Sequence, residues 1–168
     1  IPGIDLDNIF PLRNVNQADR IKNYIKVNDP TKVVVVGGGY IGLEMAENLL
    51  EYNLDITVVE MAEDILTNFD NDMSDIVSEH LQEKGVEVIT DDGVAEFIGE
   101  EEVKKVITQS EEEIEVDFVI LSIGVRPNVD IAEKAGVELG ETGAIKVNSQ
   151  METSISDIYA AGDCVESR

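Results

Sequence analysis

Three glycines offer the clearest chemistry in this sequence. Gly37, Gly39 and Gly42 stand at the spacing G-x-G-x-x-G within Gly37-Gly38-Gly39-Tyr40-Ile41-Gly42. In a strand-to-helix turn the first glycine permits the tight bend and the second lets backbone approach a diphosphate. The third lets the helix pack closely on the strand. The diphosphate would rest on the unpaired amides at the positive end of that helix. Glu60 stands 23 residues beyond Gly37, near the ~20 at which an acid accepts hydrogen bonds from ribose hydroxyls. A carboxylate there repels a 2′-phosphate, and no Lys or Arg lies between Met61 and Ile76 to neutralise one. These residues point to the binding of an adenine dinucleotide; the glycine spacing does not by itself separate NAD from FAD, since both present an ADP moiety, and NAD is expected over NADP.

Other reactive side chains are sparse. Cys164 is the only thiol, so a dithiol relay and a multi-thiolate metal site are excluded. It reads as a small, partly buried residue. His80 falls on a helix near Glu79 and Glu83 with no nucleophile at hand, which makes no triad. Asp91-Asp92 has no metal-loop spacing, and no metal is expected.

The elements that must position the glycines alternate strand and helix. Val33 to Val36 is β-branched throughout, as in a strand buried on both faces of a parallel sheet. Tyr40 to Glu51 follows as a helix with Ile41, Met45 and Leu49 on one face and Ala46 and Leu50 beside them. Ile56 to Val59 reads as a second strand and Met73 to Lys84 as a second helix, with Gly85 as its C-cap. Val86 to Ile89 is a third strand, giving βαβαβ. Before this unit, Val15 to Asn28 reads as a helix stopped by Asp29-Pro30. After it, Val94 to Ile98, Val103 to Thr108 and Glu113 to Val116 read as an antiparallel meander. The runs Glu100–Glu102 and Glu111–Glu113 are its solvated turns. Phe118 to Ile123 returns to the sheet, and short strands and turns follow Pro127. The fold class expected is α/β, a Rossmann-like parallel sheet with helices on both faces and a β-meander crossover.

Composition narrows the partners. The chain has 168 residues, 36 of them acidic against 12 basic, for a formal charge of −24. That charge without a basic cluster argues against nucleic acid. Apolar runs are too short to span a membrane and no leader pattern opens the chain, so a cytoplasmic location is expected.

Beyond the glycine turn, three segments carry a resemblance. They are Ile1-Pro2-Gly3-Ile4-Asp5, Leu121-Ser122-Ile123-Gly124-Val125-Arg126-Pro127-Asn128, and Thr153-Ser154-Ile155-Ser156-Asp157-Ile158-Tyr159-Ala160-Ala161-Gly162-Asp163. With the stretch Val33–Glu47 they resemble the FAD-dependent pyridine nucleotide-disulfide oxidoreductases, in the branch of NADH oxidases, NADH peroxidases and coenzyme A-disulfide reductases. The resemblance implies that Tyr40 lies near the flavin face and moves when nicotinamide enters. It implies that Glu44 lies near the nicotinamide end of the cofactor, and that backbone at Gly124 passes close to the dinucleotide. Gly162 and Asp163 match a return motif whose aspartate contacts the flavin's ribityl–pyrophosphate region. The family's first glycine fingerprint, flavin-facing cysteine and dimerisation domain have no match in this sequence. The division expected is therefore a linker from an absent FAD domain (1–14), an NAD(H)-binding domain (15–128) and a return segment toward the FAD domain (129–168).

The function expected is to bind NADH through Gly37, Gly39, Tyr40, Ile41, Gly42, Glu44, Glu60 and Gly124, and to position nicotinamide for hydride transfer to FAD. The FAD domain of the same parent chain is the implied partner, in a parent that is a homodimer. Electrons would pass on to a disulfide, peroxide, oxygen or another acceptor, and the chain alone would be inactive. The alternative is a non-catalytic nucleotide-binding or redox-sensing module. A complete small dehydrogenase is disfavoured by the lack of a Tyr-x-x-x-Lys pair and of a substrate domain.

Overall fold

The β-branched run ending at Val36 becomes the middle strand of a five-stranded parallel sheet in this computed structural model, which describes residues 1–166. The chain divides into two compact units, Ile1–Gly124 and Val125–Arg168.

In the first unit, β1 (Ile9–Pro11), β2 (Lys32–Val36), β3 (Asp55–Val59), β4 (Glu87–Ile89) and β8 (Phe118–Leu121) pair in the order β1-β8-β2-β3-β4. Val33 lies opposite Ile56 on one side and Phe118 on the other. Both faces of β2 are buried, and the pleat sends alternate valines into two separate cores. Val33 and Val35 pack with Ile21 and Ile25 of α1 (Val15–Asn28), Ala46 and Leu49 of α2 (Tyr40–Leu49), and Leu81 of α3 (Asn71–Glu83). Val34 and Val36 pack with Val94 and Phe97 of β5 (Val94–Gly99) and Val103 and Val106 of β6 (Val103–Thr108). The antiparallel ribbon is completed by β7 (Glu113–Glu115). Full burial of each such valine is worth roughly 1.5–3 kcal/mol.

The α/β class, the parallel sheet and the meander crossover are thus as expected. The helices α1, α2 and α3, however, share one face, and the meander, joined by Ile4 and Leu6, covers the other. Handedness explains this. The crossovers β1 to β2, β2 to β3 and β3 to β4 all step the same way across the sheet, so right-handed connections place α1, α2 and α3 on one side. The only step back, from β4 to β8, must cross the opposite face, and it is made by β5–β7.

One further difference concerns the start of the chain. Residues 1–14 were expected as a linker, yet Ile9–Pro11 forms the edge strand, with Ile9 opposite Val119, and Ile4 and Leu6 pack against the meander core. Three residues interrupted by Pro11 are too few to show a strand period. Asn8, buried and left-handed at φ 61, fixes this entry. Its side chain accepts from the Val103 amide at 2.8 Å and donates to the Val103 carbonyl at 3.2 Å and to the Asp117 carbonyl. Gly85 follows α3 as expected, at φ 87. Its amide donates to the Gln82 carbonyl and that of Val86 to Leu81, a Schellman ending.

The second unit contains the unanticipated short helix α4 (Asp130–Lys134) and the parallel pair β9 (Ile145–Lys146) and β10 (Val165–Glu166). Among its described residues, Val137, Ala144 and Ile145 are buried. A five-residue helix spans too little sequence to display a 3.6-residue period.

Candidate functional site

At the exit of β2 the chain turns on Gly37, whose φ of 105 lies in the left-handed region. Its amide donates to the Val59 carbonyl at 2.8 Å. A Cβ on Gly37 would stand 2.5 Å from the Ser122 carbonyl oxygen, and one on Gly42 would stand 1.9 Å from the Gly37 carbonyl oxygen. Both glycines are therefore demanded by the fold itself. Gly42, Ala46 and Leu49 form the buried face of α2, while Ile41 is exposed. The expected Ile41–Met45–Leu49 face is thus rotated by about one residue, because the helix must bring its smallest side chains against the turn.

Gly39 is different. Its φ of −81 suits any residue, and nothing beyond its chain neighbours lies within 4 Å of where a Cβ would stand. The fold makes no demand for glycine here, and the missing side chain leaves open space at the N-terminus of α2. Among the described residues no side chain caps that terminus, and no acid occupies its first turn. Its leading amides have no intrahelical acceptors.

The neighbouring strand ends grip this turn from two sides. The Ser122 hydroxyl, beyond β8, donates toward the Val36 carbonyl at 2.7 Å and the Gly37 carbonyl at 3.1 Å. The Glu60 carboxylate, beyond β3, accepts from the Gly38 amide at 2.6 Å and the Ala62 amide at 2.9 Å. Glu60 is half-buried and retains lone pairs beyond these two bonds. The segment after Glu60 folds back over the turn. The Leu66 amide donates to the Gly38 carbonyl at 2.9 Å, and Ile65 is buried with its Cγ2 2.7 Å from where a Gly38 Cβ would be.

Tyr40 is exposed and meets Phe69 edge to face, ring centroids 6.0 Å apart. Glu44 is exposed one turn further along α2. Gly124, at φ 95, is exposed with open space around it. The structure thus gathers Gly37, Gly39, Tyr40, Ile41 and Gly42 at one turn, with Glu60 bonded to it. Gly162, at φ 92, and Asp163 are exposed residues of the second unit. Ser122, Leu66 and Phe69 were not singled out by sequence. Ser122 lay within a quoted segment, but only its distance to the turn reveals the grip.

The remaining polar candidates are engaged elsewhere. Cys164 is half-buried and its thiol points to the Ala161 carbonyl at 3.6 Å. His80 lies on the exposed side of α3, 4.0 Å from Glu83. The Asp92 carboxylate accepts from the Ser110 hydroxyl at 2.5 Å and the Ser110 amide at 3.0 Å. Those bonds, with Thr108 and the local backbone, hold its carboxyl below the ordinary range.

Known proteins are similar to this chain. The chain is 45% identical over 167 residues to an NADH oxidase of Methanocaldococcus jannaschii, covering 99% of this chain and 37% of that protein. It thus spans little more than a third of that relative's length. The reduced CoADR-RHD of Bacillus anthracis superposes with a TM-score of 0.94 at 43% identity, over 98% of this chain and 29% of that one. The water-forming NADH oxidase of Lactobacillus brevis, solved bound to NADH, superposes with a TM-score of 0.87 at 31% identity, over 98% of this chain and 36% of that one. The family model described as pyridine nucleotide-disulphide oxidoreductase matches residues 1–168, and the chain belongs to that family.

Proposed function

We propose that this chain binds NADH and presents its nicotinamide to the flavin of an FAD-dependent oxidoreductase. The observation that carries the reading is Gly39. It is a glycine the fold does not require, placed where a bare helix end faces open space. A diphosphate seated there would accept hydrogen bonds from the first-turn amides and would be favoured by the helix dipole. The free lone pairs of Glu60 would accept from the adenosine ribose hydroxyls, and its negative charge disfavours a 2′-phosphate. The solved NADH complex of a relative with the same fold supports the choice of ligand.

When bound, the nicotinamide supplies a hydride and the flavin accepts it. The residues of this chain do the positioning. Ser122 and Glu60 fix the turn before the ligand arrives, so little ordering remains to oppose binding. Glu44 and Tyr40 line the same side of α2 toward the nicotinamide half, and Gly124 leaves room for the dinucleotide to pass. Gly162 and Asp163 serve the flavin side. The electron acceptor beyond the flavin is a disulfide, peroxide, oxygen or a related oxidant, and the parent is a homodimer.

Thermal unfolding with NADH, NADPH and FAD added separately tests this. Ligand at ~10 times its dissociation constant adds about 1.4 kcal/mol, a rise of roughly 3–6 °C for a chain of this size. The expected result is a rise with NADH and a smaller one with NADPH. A rise with FAD and none with NADH would reassign the glycine turn to flavin.

A further inference from the structure

Two large aromatic rings stand half in water beside the bare end of α2. Tyr40, the first residue of the helix, is 55% exposed and Phe69 is 46% exposed, and they meet edge to face at 6.0 Å and 76°. Phe69 comes from a segment held against the glycine turn with unusual backbone. Leu66 is buried and sits at φ 50, a left-handed conformation that costs a branched residue free energy. It is retained with its amide bonded to the Gly38 carbonyl. The Phe69 amide in turn donates to the Leu66 carbonyl at 2.8 Å. Strain, burial and two backbone bonds thus deliver an exposed phenylalanine to the one side chain adjoining Gly39.

We propose that Phe69 is a positioning residue for dinucleotide binding, acting by holding the Tyr40 ring to one side of the open space at Gly39. This rests on the reading that the space receives the diphosphate of NADH. An exposed tyrosine at the start of a helix has more than one staggered χ1 well open to it, and some of these turn its ring toward the preceding glycine. Edge-to-face contact with Phe69 selects one well. Loss of the partner frees the ring to compete with the ligand, and each NADH must then displace it.

The expected effect is a drop in NADH affinity of about threefold to tenfold in Phe69→Ala, the fold-change that corresponds to one aromatic pair. Phe69→Tyr keeps the ring and restores affinity. The deciding measurement is a double-mutant cycle on NADH dissociation constants in the full-length protein, with Tyr40→Ala as the second substitution. If Phe69 acts through Tyr40, Phe69→Ala changes nothing once Tyr40 is alanine. A loss that persists in the Tyr40→Ala background, or no loss in the wild-type background, overturns the proposal while NADH binding itself stands. Absence of NADH binding by the unsubstituted protein overturns the functional reading, and this inference with it. Both rings are half exposed, so the three substituted proteins are expected to unfold no more than about 5 °C below the parent, and all four stay folded where binding is measured.

Discussion

The helices α1 and α2 lie on the same face of one sheet, yet their N-termini are finished in opposite ways. At α1 the Asn14 side chain accepts from the Gln17 amide at 3.0 Å, and the Gln17 side-chain Oε1 accepts from the Arg13 amide at 2.7 Å. At α2 the cap is Gly39, and neither a capping side chain nor a first-turn acid is present. The Asp70 side chain at the cap of α3 makes no capping bond either, but Asp70 and Asp72 place acids at that terminus. A chain with 36 acidic residues places none in the first turn of α2. The α2 terminus is instead surrounded by groups that shape the turn rather than cap the helix: Ser122 on the Val36 and Gly37 carbonyls, Glu60 on the Gly38 amide. On the reading proposed above, a helix end left uncapped inside a tightly specified turn would receive an anion from outside the chain.

The comparison is broken most severely at Gly42. A methyl group there would stand 1.9 Å from the Gly37 carbonyl oxygen and 2.8 Å from the Ser122 hydroxyl, and backbone cannot yield that far cheaply. Gly42→Ala is expected to lower stability by about 2–4 kcal/mol and to abolish measurable NADH binding. Gly39→Ala separates the two roles of glycine. Its φ is ordinary and its surroundings are open, so the stiffer unfolded chain and the poorer cap nearly offset, and stability is expected to change by less than about 1 kcal/mol. NADH affinity is expected to fall at least about tenfold, because the methyl group occupies space meant for the diphosphate. Denaturant melts paired with NADH titrations of both variants give the answer. If Gly39→Ala binds NADH as well as the parent does, the open space has no role in binding.

How much of this was legible beforehand follows the same division between pattern and distance. The β2 valines, the helices over Val15–Asn28 and Tyr40–Leu49 and the crossover ribbon were visible because burial on two faces, helical spacing and acidic turns each leave a repeating mark. The edge strand at Ile9–Pro11 and the helix at Asp130–Lys134 left none, being shorter than the periods that would reveal them. The one-sided placement of the helices was not in the periodicities, since it depends on strand order, and strand order on where β8 inserts. At the site, the glycines and Glu60 were legible as residue types at a spacing. The bonds of Ser122 and Glu60 to the turn, and the approach of Phe69 to Tyr40, join residues far apart in sequence and have no local signature.

The entry end of β2 supplies a contrast to its exit. There the Asp117 carboxylate accepts from the Thr31 amide at 2.7 Å, the Thr31 hydroxyl at 3.1 Å and the Lys32 amide at 2.9 Å. Burial works against its charge, but these bonds outweigh it, and its carboxyl is held below its ordinary value of 3.8. A depressed folded-state pKa contributes stability above the unfolded value and loses it as pH falls through the folded value. Asp117→Asn is therefore expected to lower stability by about 1 kcal/mol near neutrality. It is also expected to flatten the decline of stability below pH 4 and to leave NADH affinity unchanged. Urea midpoints measured from pH 7 down to pH 2.5 show whether the two curves converge in acid. Parallel curves would mean that Asp117 is not the group being titrated.

The gentlest change makes α1 resemble α2. Asn14→Gly removes the side chain that bonds the Gln17 amide and leaves a glycine cap, as at Gly39. Glycine is tolerated at a cap, so the expected loss is a few tenths of a kcal/mol, against about 1 kcal/mol for Asn14→Ala. The informative readout is ligand binding. A bare helix end offers amides and a partial positive charge, but among the described residues no side chain from a neighbouring strand bonds the turn before α1 as Ser122 and Glu60 bond the one before α2. Asn14→Gly is thus expected to add no second NADH or pyrophosphate site, with unchanged stoichiometry by calorimetry. A new site at α1 would show that an uncapped helix end suffices. An unchanged stoichiometry locates the selectivity of α2 in the glycine turn and in the two side chains, Ser122 and Glu60, that hold it open.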